Sequence, residues 1–320
     1  IVVVKELNAA SGVWSMQSQF SARSQGSWPK FIPTLATYSL DYLVVAGGGG
    51  GTGGGAGGYR SSGYGPPGSR GSSLPFSGTL CGTAYTVTIG AGGTGAKGNA
   101  STFSPTLNTI ASAGGGLGDS GGSTGGSGGG ARMYPPEGAI VQAGAGNTPP
   151  VSPPQGNAGG TLTFPGPIGP QGGASIMFSG GGGASAAGAS VTIADNFTVS
   201  SGSLNGGAGL TNNINGSCTA YAGGGGGMTQ LGASPVASGS GGTGGGAPGN
   251  SPSRNGTANT GGGGGATFGV DNGSGGSGVI ILRGPNARTY AAAPGTNTIS
   301  THPGGDKIAT FTVSGTLTVT

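Results

Sequence analysis

Charge is what this sequence has least of. Lys and Arg number 11, Asp and Glu 7, and charged residues make up 6% of the 320. They stand singly, with no Lys/Arg cluster, so the excess of +4 leaves no nucleic-acid footprint. The acids are Glu6, Asp41, Asp119, Glu137, Asp195, Asp271 and Asp306, and the one histidine is His302. Catalysis by paired carboxylates or a Ser-His-Asp set needs such groups in apposition. The single close pair, His302-Pro-Gly-Gly-Asp306, reads as a turn because Pro and Gly separate its members. Two cysteines, Cys81 and Cys218, and one histidine make no metal spacing. The cysteines are either one disulfide or two buried thiols. Gly90 to Lys97 lacks the Gly-Lys-Ser/Thr of a phosphate loop. No apolar run approaches the ~20 residues of a membrane helix. No enzyme, cofactor, metal, nucleic acid or membrane insertion is therefore expected. The opening Ile1-Val-Val-Val-Lys5, without Met, suggests a fragment or a processed chain.

Glycine fills the space that charge leaves, with 83 Gly and 21 Pro. The central stretch is Asp41-Tyr-Leu-Val-Val-Ala followed by 47–58, which is all Gly except Thr52 and Ala56. Similar runs recur at 113–130, 180–188, 222–227, 239–246, 261–265 and 273–278. Such a composition often means a flexible linker. The low charge argues against that, as do the apolar β-type blocks set between the runs. Collagen is excluded because Gly does not recur at every third position without interruption. The reading that remains is a set of extended glycine helices with three residues per turn, bonded backbone to backbone. A run of 47–58 would reach roughly 37 Å at ~3.1 Å per residue. Ordering costs about 1–2 kcal/mol per residue against about 0.5–1.5 kcal/mol per hydrogen bond, so a lattice of many runs is required. The expected fold is mostly irregular and β: a polyglycine II helix sandwich with short strands and one short N-terminal helix.

In chain order, 1–40 is an N-terminal segment with a strand at 1–7 and a helix after Ser11. Val13, Met16 and Phe20 share a helical face that Pro29 ends. With Trp14 and Trp28 they are candidates for docking a partner protein, or form a small packed cap. Residues 41–284 form the glycine-rich domain and 285–320 a C-terminal β segment, in which 307–320 reads as a hairpin. Residues 132–170, rich in Pro, form the longest interruption, of a length that is functional or disordered.

Tyr42-Leu-Val-Val-Ala followed by five Gly, Tyr85-Thr-Val-Thr-Ile-Gly-Ala-Gly-Gly and Gly276-Ser-Gly-Val-Ile-Ile-Leu-Arg283 resemble the glycine-rich domain of phage and prophage tail-fibre proteins. Phe311-Thr-Val-Ser-Gly-Thr-Leu-Thr-Val319 is similar to a β motif found beside such domains. Gly12-Val-Trp-Ser-Met-Gln with Gly26-Ser-Trp-Pro29 resembles a segment of phage virion proteins. In general design the chain also resembles tail-fibre tip adhesins that present loops from a glycine-helix sandwich.

The resemblance implies a virion tail-fibre location and adsorption to a host cell-surface receptor, an outer-membrane protein or a glycan. It also implies attachment to other fibre or tail proteins through the N-terminal segment, with a homo-oligomer possible in either role. Tyr and Arg are the residues that interfaces favour, and rigid scaffolds carry them on loops. The receptor-contact candidates are Tyr59, Arg60, Tyr64, Arg132, Met133, Tyr134, Tyr221 and Arg254. The competing class is purely structural: a fibre shaft, a capsid decoration or an extracellular filament subunit.

Overall fold

The computed structural model describes residues 15–17, 21, 24, 38–76, 84–105, 109–118, 122–133, 140–164, 176–194, 198–231, 234–267 and 273–320. They are mostly strand and irregular backbone. Near the N-terminus, Met16, Gln17, Ser21 and Ser24 are helical, and the Ser24 hydroxyl donates to Ser21 O at 2.9 Å. Met16 is 87% exposed. Val13, Trp14, Phe20, Trp28, Cys81 and Tyr134 lie outside the described residues.

Hydrogen bonds through the glycine runs repeat every third residue. Gly47 and Gly50 donate to Asn99 and Ala96, Gly48 and Gly51 to Gly276 and Gly273, and Gly49 to Gly55. Gly54 and Gly57 donate to Gly264 and Gly261, Gly55 and Gly58 to Gly116 and Ala113, at 2.8–2.9 Å. Successive N–H groups therefore point to three different neighbours, as a threefold extended helix requires. In each of these pairs the acceptor number falls as the donor number rises, so the runs are antiparallel. It rises instead for Gly115 and Gly118 on Gly47 and Gly50, and for Gly263 and Ala266 on Gly223 and Gly226. Both directions are used, because without side chains either presents the same donors and acceptors.

The single long run expected over 47–58 is two short ones. The chain reverses at Thr52-Gly53, where Gly51 and Gly53 take φ of 87° and 71°, a backbone region glycine enters freely. The buried Thr52 hydroxyl donates to Gly118 O and pins the reversal. Each arm is thus about half the expected length, roughly 16 Å for five residues. Residues 140–164, expected to belong to a long interruption, also carry lattice strands. Gly144 N donates to Gly129 O, Gly159 N to Gly144 O and Gly160 N to Gly180 O at 2.8–3.0 Å. The proline-rich turn between them is organised by Asn147 and buried Gln155. Asn147 Oδ1 accepts from Val151 N and Gln155 N, and the Gln155 amide joins Pro149 O to Ala113 N.

The lattice is closed at each end by strands. At one end a seven-stranded sheet has the order Thr298–Thr301, Lys307–Phe311, Val279–Gly284, Tyr38–Val45, Tyr59–Ser62, Arg70–Gly71, and Leu74–Phe76 pairs with the start of Tyr38–Val45. It faces a five-stranded sheet ordered Tyr290–Ala293, Gly315–Val319, Ala84–Thr88, Ser101–Ser104, Ile110–Ser112. Leu40, Tyr42, Val44, Leu282 and Phe311 from the first interleave with Tyr85, Phe103, Leu317 and Val319 from the second. The 307–320 segment is not a hairpin. Lys307–Phe311 joins the first sheet and Gly315–Val319 the second, so that Phe311 and Leu317 fill the same core from opposite sides. The opposite face of the first sheet, with Leu43, Val45, Val279 and Ile281, packs against Ala56, Tyr59, Ala184, Ile214 and Tyr221.

At the far end, Ser234–Ser238, Met228–Leu231, Ile176–Phe178, Arg132–Met133 and Ile140–Val141 form a sheet. A smaller sheet of Leu162–Thr163, Val191–Ile193 and Val199–Gly202 packs on it through Met133, Met177, Leu162, Val191 and Ile193. The glycine runs bridge these two apolar caps.

Candidate functional site

The sequence candidates divide between the two ends. At the sandwich end, Tyr59 and Tyr221 are core residues with 2% and 5% of their surface exposed. Tyr59 lies on the strand that leaves the first glycine hairpin, and its hydroxyl accepts from Asn212 Nδ2 at 2.8 Å. Burial raises the phenol pKa of Tyr59, against hydrogen bonds with Ser61 and Asn212 that lower it. Burial likewise raises that of Tyr221, against its bond with Thr219. At the far end Met133 is 1% exposed. The expectation that Tyr59, Met133 and Tyr221 meet a receptor is corrected on these grounds. A large tyrosine or methionine flanking a glycine run fills the cap closing the lattice, because the buried runs leave no room for one.

The remaining candidates are half-buried: Arg60, Tyr64, Arg132 and Arg254. Arg60 Nη1 donates to Ala111 O at 3.3 Å, tying the seven-stranded sheet to the five-stranded one. Arg254 sits in the polar loop after Asn250, and its carbonyl accepts from Gly265 N. Arg132 begins the far-end strand beside Phe178. Tyr59, Arg60, Tyr64 and Tyr221 are thus gathered at one end, whereas Arg132 and Met133 lie at the other.

The densest polar chemistry was not among the candidates. Arg283, on the fully buried strand Val279–Gly284, keeps 9% exposure. Its Nε donates to Asp306 Oδ2 at 2.9 Å, Nη1 to Ile214 O at 3.4 Å, and Nη2 meets His302 Nδ1 at 3.3 Å. Its guanidinium carbon lies 4.5 Å from the centroid of the Tyr64 ring. Burial raises the Tyr64 phenol pKa, and Arg283 partly lowers it again. His302 Nδ1 also accepts from Gly304 N at 2.9 Å. Two donors aimed at Nδ1 place the ring proton of the neutral imidazole on Nε2. The turn expected at 302–306 is present, with His302 N donating to Asp306 O at 2.8 Å.

Asp41 stands directly opposite Arg283 in the antiparallel pair and accepts from the Ser62 hydroxyl at 2.7 Å. Ser39, Asp41, Arg283, Gly284, Pro285 and Asp306 line an open depression of about 340 Å³. A signal for it existed in the sequence. Aligning the glycine-flanked ends of 41–45 and 279–283 as an antiparallel pair sets Asp41 against Arg283. The approach of Asp306 and Tyr64 had no such signal, because both arrive on turns.

Cys218 is a free thiol and is exposed, where the thiol alternative expected it buried; Cys81 lies outside the described residues. Among the described residues no group of three or more His, Cys, Asp or Glu could hold a metal ion, and no helix is long and apolar enough to cross a membrane.

Compared with known proteins, the family model described as Glycine-rich domain matches residues 23–285. No curated protein and no solved structure matches the chain.

Proposed function

We propose a function from the premise that this chain belongs to the Glycine-rich domain family, whose match covers most of its length. The protein is a non-enzymatic virion tail-fibre or fibre-tip component that adsorbs to a host cell-surface receptor. The observation that carries this reading is the polarity of the lattice. Tyr38–Val45, which leads in from the N-terminal segment, and the strands of 285–320 all belong to the sandwich end. Among the described strands, none of these belongs to the opposite end. The described elements flanking residues 134–139, 165–175, 195–197, 232–233 and 268–272 belong to that opposite end. Connections between elements on a rigid scaffold are where recognition residues concentrate. The N-terminal segment would attach to other fibre or tail proteins, and the far end would face the cell, with Arg132 its nearest described candidate. The resemblance to phage tail fibres supports this assignment of ends.

The test is competition. Purified chain should bind susceptible cells and slow phage adsorption. Replacing 134–139 and 165–175 with Gly-Ser linkers of equal length should abolish binding while leaving the unfolding midpoint within a few degrees. Binding that survives those replacements would overturn the reading.

A second reading, a structural fibre or filament subunit, draws on the outer run 91–97. Of these residues only Gly93 donates its backbone N–H to a described partner, which leaves donors for a run from another copy. Concentration-dependent filaments in electron micrographs, without cell binding, would favour it.

A further inference from the structure

We propose that the side chains at the exposed positions of the outer hairpin 90–100 close the glycine lattice against a second copy of this chain, and that exchanging them for glycine opens that flank to lateral self-association. The inference goes beyond the adsorption reading and does not rest on it. It stands against the filament reading, which takes the same residues as a seat for another copy.

The need for closure follows from the bonding. A threefold glycine helix turns its N–H and C=O groups outward in three directions, so a run at the edge of a lattice offers groups that a further run could take. The hairpin 90–100 is such an edge. On its inner side Gly47 and Gly50 donate to Asn99 and Ala96, while Gly275 and Gly278 donate to Gly93 and Gly90, at 2.9–3.0 Å. The amides of Ala91, Thr94 and Lys97, all exposed residues, donate to no described group. Its situation is that of an edge strand in a sheet, which pairs with other chains unless something prevents it.

What prevents it here is space. A Cβ added at Gly90, Gly92, Gly93 or Gly98 would overlap the carbonyl oxygen of Asn99, Gly275, Ala96 or Gly47 respectively. Where this hairpin packs on its neighbours, bare backbone is therefore required. Its exposed positions are the reverse, for each carries a side chain except Gly95, which sits at the reversal with φ of 56°. The same holds for the other runs. Among their described residues no glycine is exposed, and the exposed positions, such as Ser185, Asn205, Ser240, Thr243 and Asn255, all bear side chains. A run from a second copy laid on 90–100 would meet the methyls of Ala91, Ala96 and Ala100 at the approach distance, and would have to bury the Lys97 ammonium. Alanine adds neither charge nor a hydrogen-bonding side chain, so at three of these positions the methyl alone separates a closed edge from an open one.

The experiment uses the full chain. One variant combines Ala91→Gly, Ala96→Gly, Lys97→Gly and Ala100→Gly, and keeps Thr94, whose hydroxyl lies 3.0 Å from that of Ser274. A milder variant has Lys97→Gly and Ala100→Gly only, and Lys97→Ala removes the charge while keeping a Cβ. Sedimentation velocity reads the assembly state. Hydrogen exchange at 91–97 locates the contact, so association through either end of the molecule is not mistaken for it. In the unaltered chain and in Lys97→Ala, these amides should exchange at the same rate at every protein concentration. In the glycine variants they should slow by about tenfold or more as concentration rises and larger species form, because an amide bonded across an interface exchanges only when that interface opens. Slow exchange at Gly55 and Gly116 shows that the lattice of a variant is intact. Concentration-dependent protection of 91–97 in the unaltered chain or in Lys97→Ala, or its absence from both glycine variants, would overturn the proposal.

Discussion

A methyl group added at Gly49 would overlap the carbonyl oxygen of Gly116, which already accepts from Gly55 N at 2.9 Å. The obstacle is backbone held by its own hydrogen bond, so it cannot swing aside as a side chain would. Gly295, at the surface of the C-terminal turn, has nothing within 4 Å of the same added atom. Gly49→Ala should therefore destabilise by about 3 kcal/mol or more, at or above the upper range for overpacking, with Gly295→Ala near neutral. Chemical denaturation of the two variants checks this, and equal midpoints would disprove the close-packed lattice. The tyrosines make a second residue-scale prediction. Burial raises the phenol pKa of Tyr42, Tyr59 and Tyr221 in the folded protein. The unfolded chain ionises them near pH 10. The stability they contribute is thus complete below about pH 10 and is lost as pH rises through their folded values. Tyrosinate absorbance should appear together with unfolding in an alkaline titration, and full ionisation of these residues in still-folded protein would contradict their burial.

At the level of the element, a run's place in the lattice is written in how its glycines are interrupted. Five consecutive Gly at 47–51, 223–227 and 261–265 belong to wholly buried runs. Runs at the surface read x-Gly-Gly-x: Asn205 to Ala208, Ser240 to Thr243 and Ser274 to Ser277, with Gly207, Gly242 and Gly276 turned inward. One position in three faces outward and takes a small side chain, which then bonds sideways. Asn205 Oδ1 accepts from Ser240 N while Gly206 N donates to Ser240 O. Asn255 and Gly256 hold Ser274 by the same two bonds. Hydrogen exchange should follow this register. Gly55, Gly116, Gly181 and Gly224 should exchange slowly although they belong to no strand. Across 91–97 only Gly93, bonded to Gly48 O, should be protected. Uniformly fast exchange through the runs would mean a linker and no lattice.

This register also marks how far the sequence could be read. Threefold glycine runs and the flanking strands near 41–45, 84–88 and 279–283 follow from local composition. The reversal at Thr52 does not, because it rests on a hydroxyl reaching Gly118 from far along the chain. The Pro-rich interruption hid lattice strands because Gly144, Gly156, Gly159 and Gly160 are too sparse to look like a run, although an outer run needs few of them. At the candidate site, Tyr and Arg beside glycine runs suggested display. The buried ones are cap residues, and the cluster around Arg283 is assembled by turns that local pattern does not locate.

The whole molecule should behave as one unit despite its two separate cores. Phe311 lies in the sandwich and Phe178 in the far-end cap, and they share no apolar cluster. What joins them are the glycine runs: Ala222 to Gly227 runs from the strand of Tyr221 to that of Met228, and Gly273 to Gly278 leads to Val279. A glycine lattice has no hydrophobic core of its own. Its chain entropy is offset only while both caps hold the runs in register. Loosening either cap frees the ends of many runs at once, so hydrogen bonds are lost throughout and the opposite cap loses its support. Phe311→Ala and Phe178→Ala should each cost about 3–5 kcal/mol, and each should lower a single common transition. Cys218 is an exposed free thiol and should be alkylated in the folded protein. Calorimetry on the two variants decides the matter. Two separated transitions, with only one moved by each substitution, would show that the glycine runs tether two independent domains without coupling them.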